Sequence, residues 1–176
     1  MGKITAICDI LSLMLILGID PGTATTGVGL IKTNGKASFE LLHFDWIKTD
    51  KNDLREKRLV VIHNAVINLI KEHKPDVLAI ERLFFATNVK TAMAVSEASG
   101  VIRLAAAKHK IPIYDYAPMQ IKLIICGSGR ADKEMMKKEV RKLLNFRSPN
   151  HKKTHFDDVC DALAVAICHI KKTMIE

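Results

Sequence analysis

A mixed α/β fold, a five-stranded sheet with helices on both faces, is the architecture that this 176-residue chain predicts. Three observations carry it. Two strand-like runs are linked through Asn34-Gly35, a turn-forming dipeptide that signals a hairpin. Beyond these strands, amphipathic stretches with helical spacing alternate with short apolar runs, the order that builds parallel strands joined by helices. One of those runs, VLAIE, lacks the polar alternation of a half-solvated strand, and so fits an interior parallel strand.

The elements follow in order. A first strand is expected at about 14 to 20, stopped by Pro21-Gly22, with two more near 26 to 33 and 38 to 47. A long helix comes next, with Leu59, Ile62, Val66, Leu69 and Ile70 on one face. Pro75-Asp76 leads into VLAIE. After ERLFF a second helix runs from about Asn88 to Lys108, then a strand in IPIYDY, a segment around Pro118 to Cys126, a basic helix near Lys133 to Leu144, and a terminal helix carrying FDDVCDALAVAICH.

With 48% hydrophobic residues, the chain can bury roughly 70% of its unfolded surface in a single domain. Residues 14–176 are expected to form that domain. Residues 1–13, MGKITAICDILSL, are read as an extension or a misassigned start: Asp9 interrupts the apolar run, and a leader peptidase would have to spare the strand that follows. No apolar run reaches the ~20 residues that span a bilayer. The net charge of +8 favours an anionic partner such as a polyphosphate backbone, although charge alone also suits a merely basic soluble protein. Cys8, Cys126, Cys160 and Cys168 have no zinc-site spacing and read as packed, reduced thiols. The seven histidines are scattered, and only His155 begins a helix close to acids.

Four acids carry the chemistry. Asp20 and Glu81 each close an apolar strand, where a carboxylate needs a cation or a hydrogen-bond network. Asp158 and Asp161 stand at i, i+3 on the terminal helix, beside an apolar stripe of Val159, Leu163, Ala166, Ile167 and Ile170. Brought together, carboxylates repel by about 4 kcal/mol per pair at 4 Å and an effective dielectric near 20. Divalent cations relieve that repulsion, and hard oxygen ligands suit magnesium or manganese. By spacing, Asp157 also shares a face with Asp161; the first turn of a helix, where the macrodipole welcomes a carboxylate, is its other natural role.

Taken together, GIDPGTATTGVGLI, RLVVIHNAVINLIKEHKPDVLAIERLFFATNVKTA and the DxxDALAVAICH helix resemble the crossover junction endodeoxyribonuclease RuvC family, from Met14 to near the end of the chain. The resemblance implies a ribonuclease-H-like fold and an endonuclease that resolves Holliday junctions by paired, metal-dependent hydrolytic nicks in DNA recombination and repair. It implies that Asp20, Glu81, Asp158 and Asp161 hold two magnesium ions per subunit, with manganese able to substitute, and that the nicks carry 5′-phosphates. The implied partners are four-way junction DNA, a second copy of the chain, and a branch-migration complex of the same pathway. The implied location is the bacterial cytoplasm, on DNA.

The stretch after Gly127 supplies a second constellation, with Lys133, Lys137, Lys138, Arg141 and Lys142 leading into the acidic helix. Such a charge run is either a solvated helix face or a phosphate-holding surface. By resemblance, Lys122 and Lys133 match family lysines beside the scissile phosphate, and Phe84 matches an aromatic residue that stacks on bases. Phe85 is left to the core. The helix from Asn88 to Lys108 carries the dimer contact by analogy, with Met93, Val95, Val101, Ile102 and Leu104 as apolar candidates, although Glu97 and Ser99 depart from the family pattern. Rival readings are a noncatalytic branched-DNA-binding module, a ribonuclease-H-like nuclease of RNA processing, and an actin-like ATPase. The last would need a second lobe that this length cannot supply.

Overall fold

The structure, a computed structural model, describes residues 13–34, 38–82, 89–145 and 156–174. In chain order these form β1 (Met14–Asp20), β2 (Thr25–Thr33), β3 (Phe39–Lys48), α1 (Arg55–His73), β4 (Val77–Glu81), α2 (Val89–Lys108), β5 (Ile113–Tyr116), α3 (Pro118–Cys126), α4 (Lys133–Leu143) and α5 (Phe156–Thr173). The strands make one sheet in the order β3-β2-β1-β4-β5. β1, β2 and β3 are antiparallel neighbours, whereas β4 and β5 join β1 in parallel. The expected mixed five-stranded sheet is therefore present, with β1 at its centre.

Side-chain alternation along each strand divides the core into two layers. Leu17, Ile19, Val28, Leu30, Leu78 and Ile80 face α1 and α2, meeting Ile62, Val66 and Ile70 of the first and Ala98, Ile102 and Ala105 of the second. Ile16, Ile31 and Ala79 face the other way, onto α5, and α3 and α4 close over that helix with Ile121, Ile125, Met136 and Val140. The apolar stripe expected on the terminal helix turns out to be a full enclosure: apart from Asp161, every residue from Val159 to Ile170 is buried. A helix apolar all round belongs in an interior, and here the sheet covers one side and two helices the other.

One expectation on α2 is corrected. Ile102, named among the interface candidates, has no exposed surface, because the helical phase that aims Ala98 and Ala105 at the sheet aims Ile102 there too. Met93 and Leu104 are exposed, and Val95 and Val101 half-buried. The described cysteines are free thiols, and burial pushes Cys160 and Cys168 up to about 12, so both stay protonated and inert. No described helix is long and apolar enough to cross a membrane.

Candidate active site

The site begins with strand register. β1 and β4 lie parallel and pair Ile19 with Ile80, so the next residues, Asp20 and Glu81, end side by side at the same edge of the sheet. Alternation places both on the α5 face, in phase with Ile16 and Ala79.

Glycines bring the third acidic segment to them. Gly27 pairs with Asp20 across the β1–β2 ladder. A Cβ at Gly27 would lie 2.0 Å from the backbone oxygen of Asp158, one at Gly18 would lie 2.2 Å from that of Ala162, and one at Gly29 would meet the Leu163 side chain at 2.6 Å. α5 thus rests directly on the strand backbones, and its first two turns sit over the end of β1. Sequence reasoning misses these glycines, although the i, i+2 spacing of Gly27 and Gly29 inside a strand is a legible sign of close backbone approach.

The electrostatics follow from that packing. Burial pushes the Asp20 carboxyl well above its ordinary range, and the charges of Glu81, Asp161 and Asp158 push it further, against the pull of Lys133. Glu81 rises from 4.5 to about 7, first by desolvation and then by Asp161, with Lys122 and Lys133 opposing. Asp161 is raised chiefly by burial, with Lys133 opposing and Asp157 and Asp158 reinforcing. Glu81, Asp158 and Asp161 therefore all lie within electrostatic reach of Asp20, so that the four predicted acids converge from three separate elements. Asp157 is engaged differently, pairing at 2.8 Å with Lys137 of α4.

Both lysines matched by resemblance point to the same place. Lys122 lines a small cavity of about 110 Å³ together with Glu81, Asp161, Ile121 and Met136. Lys133 opens α4 just after Asp132, which caps the helix by accepting the Met135 N–H at 2.8 Å. A cation in a first helical turn works against the macrodipole, and the carboxylates that Lys133 faces offset that cost. The other basic residues of α4 divide. Lys137 is held by Glu134 and Asp157, which raise its pKa, and keeps only 16% of its side chain exposed. Lys142 lies 3.6 Å from Glu139, Lys138 is exposed, and Arg141 is half-buried with its charge felt at Cys160. Phe84, Phe85 and His155 lie outside the described residues.

Among the described residues no three acidic, histidine or cysteine groups close into a finished metal shell. The donor chemistry nevertheless fits a divalent cation: carboxylates whose pKa values are raised by burial and then by one another's charge gain most from added positive charge.

A ribonuclease-H-like sheet with acids from β1, β4 and the last helix defines a metal-dependent nuclease. The family model for crossover junction endodeoxyribonuclease RuvC matches residues 16–169. The chain belongs to that family. A crossover junction endodeoxyribonuclease RuvC of Alkaliphilus metalliredigens is 46% identical over 156 residues, covering 89% of this chain and 92% of the relative. Its counterpart in Caldicellulosiruptor saccharolyticus is 42% identical over 157 residues, with the same coverage. Among solved structures, Thermus thermophilus RuvC in complex with Holliday junction substrate superposes with a TM-score of 0.84 at 31% identity, covering 92% of this chain and 96% of that one.

Proposed function

We propose that the chain, acting as a single nuclease domain from Met14 onward, resolves four-way DNA junctions by magnesium-dependent paired nicks that leave 5′-phosphates. The observation that carries this is the convergence of Asp20, Glu81, Asp158 and Asp161 from three elements, with the charge of Lys133 felt at Asp20, Glu81 and Asp161 and that of Lys122 at Glu81. Asp158 is taken as the fourth ligand because its charge is felt at Asp20, whereas Asp157 is engaged by Lys137. When bound, two magnesium ions supply an activated water and stabilise the leaving oxygen. The chain's own part is to hold the carboxylates facing one another, to keep water from their buried side, and to grip the phosphate through Lys122 and Lys133. Phe84, three residues beyond Glu81, is assigned to stacking on bases opened at the junction centre. Lys138, Arg141 and Lys142 add a positive approach along α4, and Lys137 contributes chiefly by tying α4 to the first turn of α5.

Paired cuts on a nearly two-fold substrate need two sites related by a two-fold axis, which a homodimer provides. α2 supports such a contact. Met93, Gly100 and Leu104 fall on one exposed stripe, and nothing lies within 4 Å of a Cβ at Gly100. An exposed glycine inside a helix costs about 1 kcal/mol relative to alanine, a cost that close packing of a second helix offsets. The same dimer is the form expected to meet a branch-migration complex on DNA in the bacterial cytoplasm.

The test is cleavage of a synthetic four-way junction with and without magnesium. Asp20→Asn, Glu81→Gln and Asp161→Asn should each lower the rate more than about 10²-fold while junction binding survives, the scale of losing one preorganised charge at a reacting centre. Cleavage within a few-fold of the parent would falsify the assignment.

A further inference from the structure

Across the sheet from Lys122, on the far side of Asp20, lies a second basic feature. Lys48 pairs with Thr25 at the last rung of the β2–β3 ladder. Register fixes the face: Asp20 pairs with Gly27, Gly27 pairs with Trp46, and Trp46 packs in the core layer beneath α5. Lys48 is in phase with Trp46, so it stands on the carboxylates' face and at the carboxylates' end. With Lys51, Thr25, Thr49, Ala24 and Asp50 it lines an open groove of about 580 Å³.

The groove is built on a braced turn. Thr49 Oγ1 donates to the Thr23 carbonyl at 2.5 Å, the Thr49 N–H donates to the Ala24 carbonyl at 3.1 Å, and Arg58 Nε donates to Thr49 Oγ1 at 2.8 Å. Asp50, the one acid in the lining, accepts the Asn52 N–H at 2.9 Å within its own turn. Lys48 and Lys51 are exposed, and neither joins an ion pair among the described residues, whereas Lys137 and Lys142 of α4 each lie beside an acid. The positive charge free to meet phosphate is therefore split between the two flanks of the site.

We infer that the Lys48–Lys51 groove is a second phosphate track, which grips the cut strand beyond the scissile phosphate on the side opposite Lys122. The inference rests on the nuclease reading above and specifies where the DNA runs. β3 lies two strand spacings from β1, roughly 10 Å. At about 3.4 Å of rise per nucleotide, that is about three nucleotides from the cut. Lysines on a braced floor hold register without reading sequence, and the Thr25 hydroxyl offers a further donor to phosphate oxygens.

The experiment measures junction affinity across a salt series, and cleavage at saturating enzyme, for the full chain and for Lys48→Ala combined with Lys51→Ala. Lys71→Ala, an exposed lysine in the last turn of α1 at the other end of the sheet, is the control. The double variant should flatten the log–log salt slope by about 0.9 for each phosphate no longer neutralised, and by up to about two such steps. Its cleavage at saturation should fall by less than its junction affinity does, and the control should keep the parent's slope. An unchanged slope in a double variant of a parent that binds and cleaves junctions overturns the groove alone. A double variant that fails to cleave at saturation would place these lysines in catalysis and overturn it too. A parent that neither binds nor cleaves overturns the nuclease reading and the groove with it.

Discussion

Glu81 reports the electrostatics of the site most directly, since its carboxyl is raised from 4.5 to about 7 by burial and by Asp161. A carboxyl raised on folding favours the protonated folded state. Its contribution is complete below about 4.5 and is lost as pH rises through about 7. The metal-free chain should therefore lose stability across that window, on the order of 3 kcal/mol from Glu81 at about 1.36 kcal/mol per unit. Asp20 and Asp161 act in the same direction. Melting temperatures in EDTA from about pH 4.5 to about 7.5 check this: the parent should fall, Glu81→Gln should fall less steeply, and magnesium should restore most of the loss above about pH 7. A parent flat across the window would mean that these acids are not forced together. The acids themselves are legible in the sequence, because each ends an apolar run or repeats along a helix. Their coupling is not, since it depends on which strands are neighbours.

α5 reaches the site only because three strand positions lack a side chain. Gly27 is the critical one, with the Asp158 backbone oxygen 2.0 Å from where a Cβ would stand. Gly27→Ala must push the first turn of α5 away from β2, and Asp158 moves with it. We expect a loss of about 1 to 3 kcal/mol, the usual range for overpacking, together with a fall in cleavage larger than the fall in junction affinity. Urea denaturation beside single-turnover cleavage measures both, and parent-like cleavage in Gly27→Ala would show that α5 is not positioned by this contact. The bridge from Lys137 to Asp157 holds the same turn from its outer side and joins it to the helix that begins with Lys133. Sequence spacing groups Lys137 with the DNA-facing cations. The structure places it between two acids, one of them on another helix, a pairing that linear spacing does not reveal.

The molecule keeps its carboxylate edge and its outward α2 stripe on separate surfaces. The carboxylates sit at one end of the sheet on the α5 face, whereas α2 covers the opposite face. Pairing two chains through α2 would leave both sites open to DNA. Leu104, 50% exposed, is the informative position. Leu104→Glu should convert a dimeric parent to a folded monomer in light scattering, with little change in melting temperature. It should also uncouple the paired nicks, so that singly nicked junctions accumulate in a supercoiled cruciform assay. A monomeric parent, or a dimer unaffected by the charge, would remove α2 from the interface.

Local chemistry alone specified much of this protein: the strands β2 and β3 from their two apolar runs, the interior strand from VLAIE, the helices from their apolar spacing, and the acids from their improbable positions at the ends of apolar runs. These are properties of short segments, governed by backbone conformation and side-chain period. Tertiary structure decided what depends on contacts between distant segments. It aligned Asp20 with Glu81 through parallel register and seated Asp158 over Gly27 because a bare backbone permits that approach. It buried Ile102 rather than presenting it, and it engaged Lys137 with Asp157 while leaving Lys48 and Lys51 outside any ion pair among the described residues, beside the site.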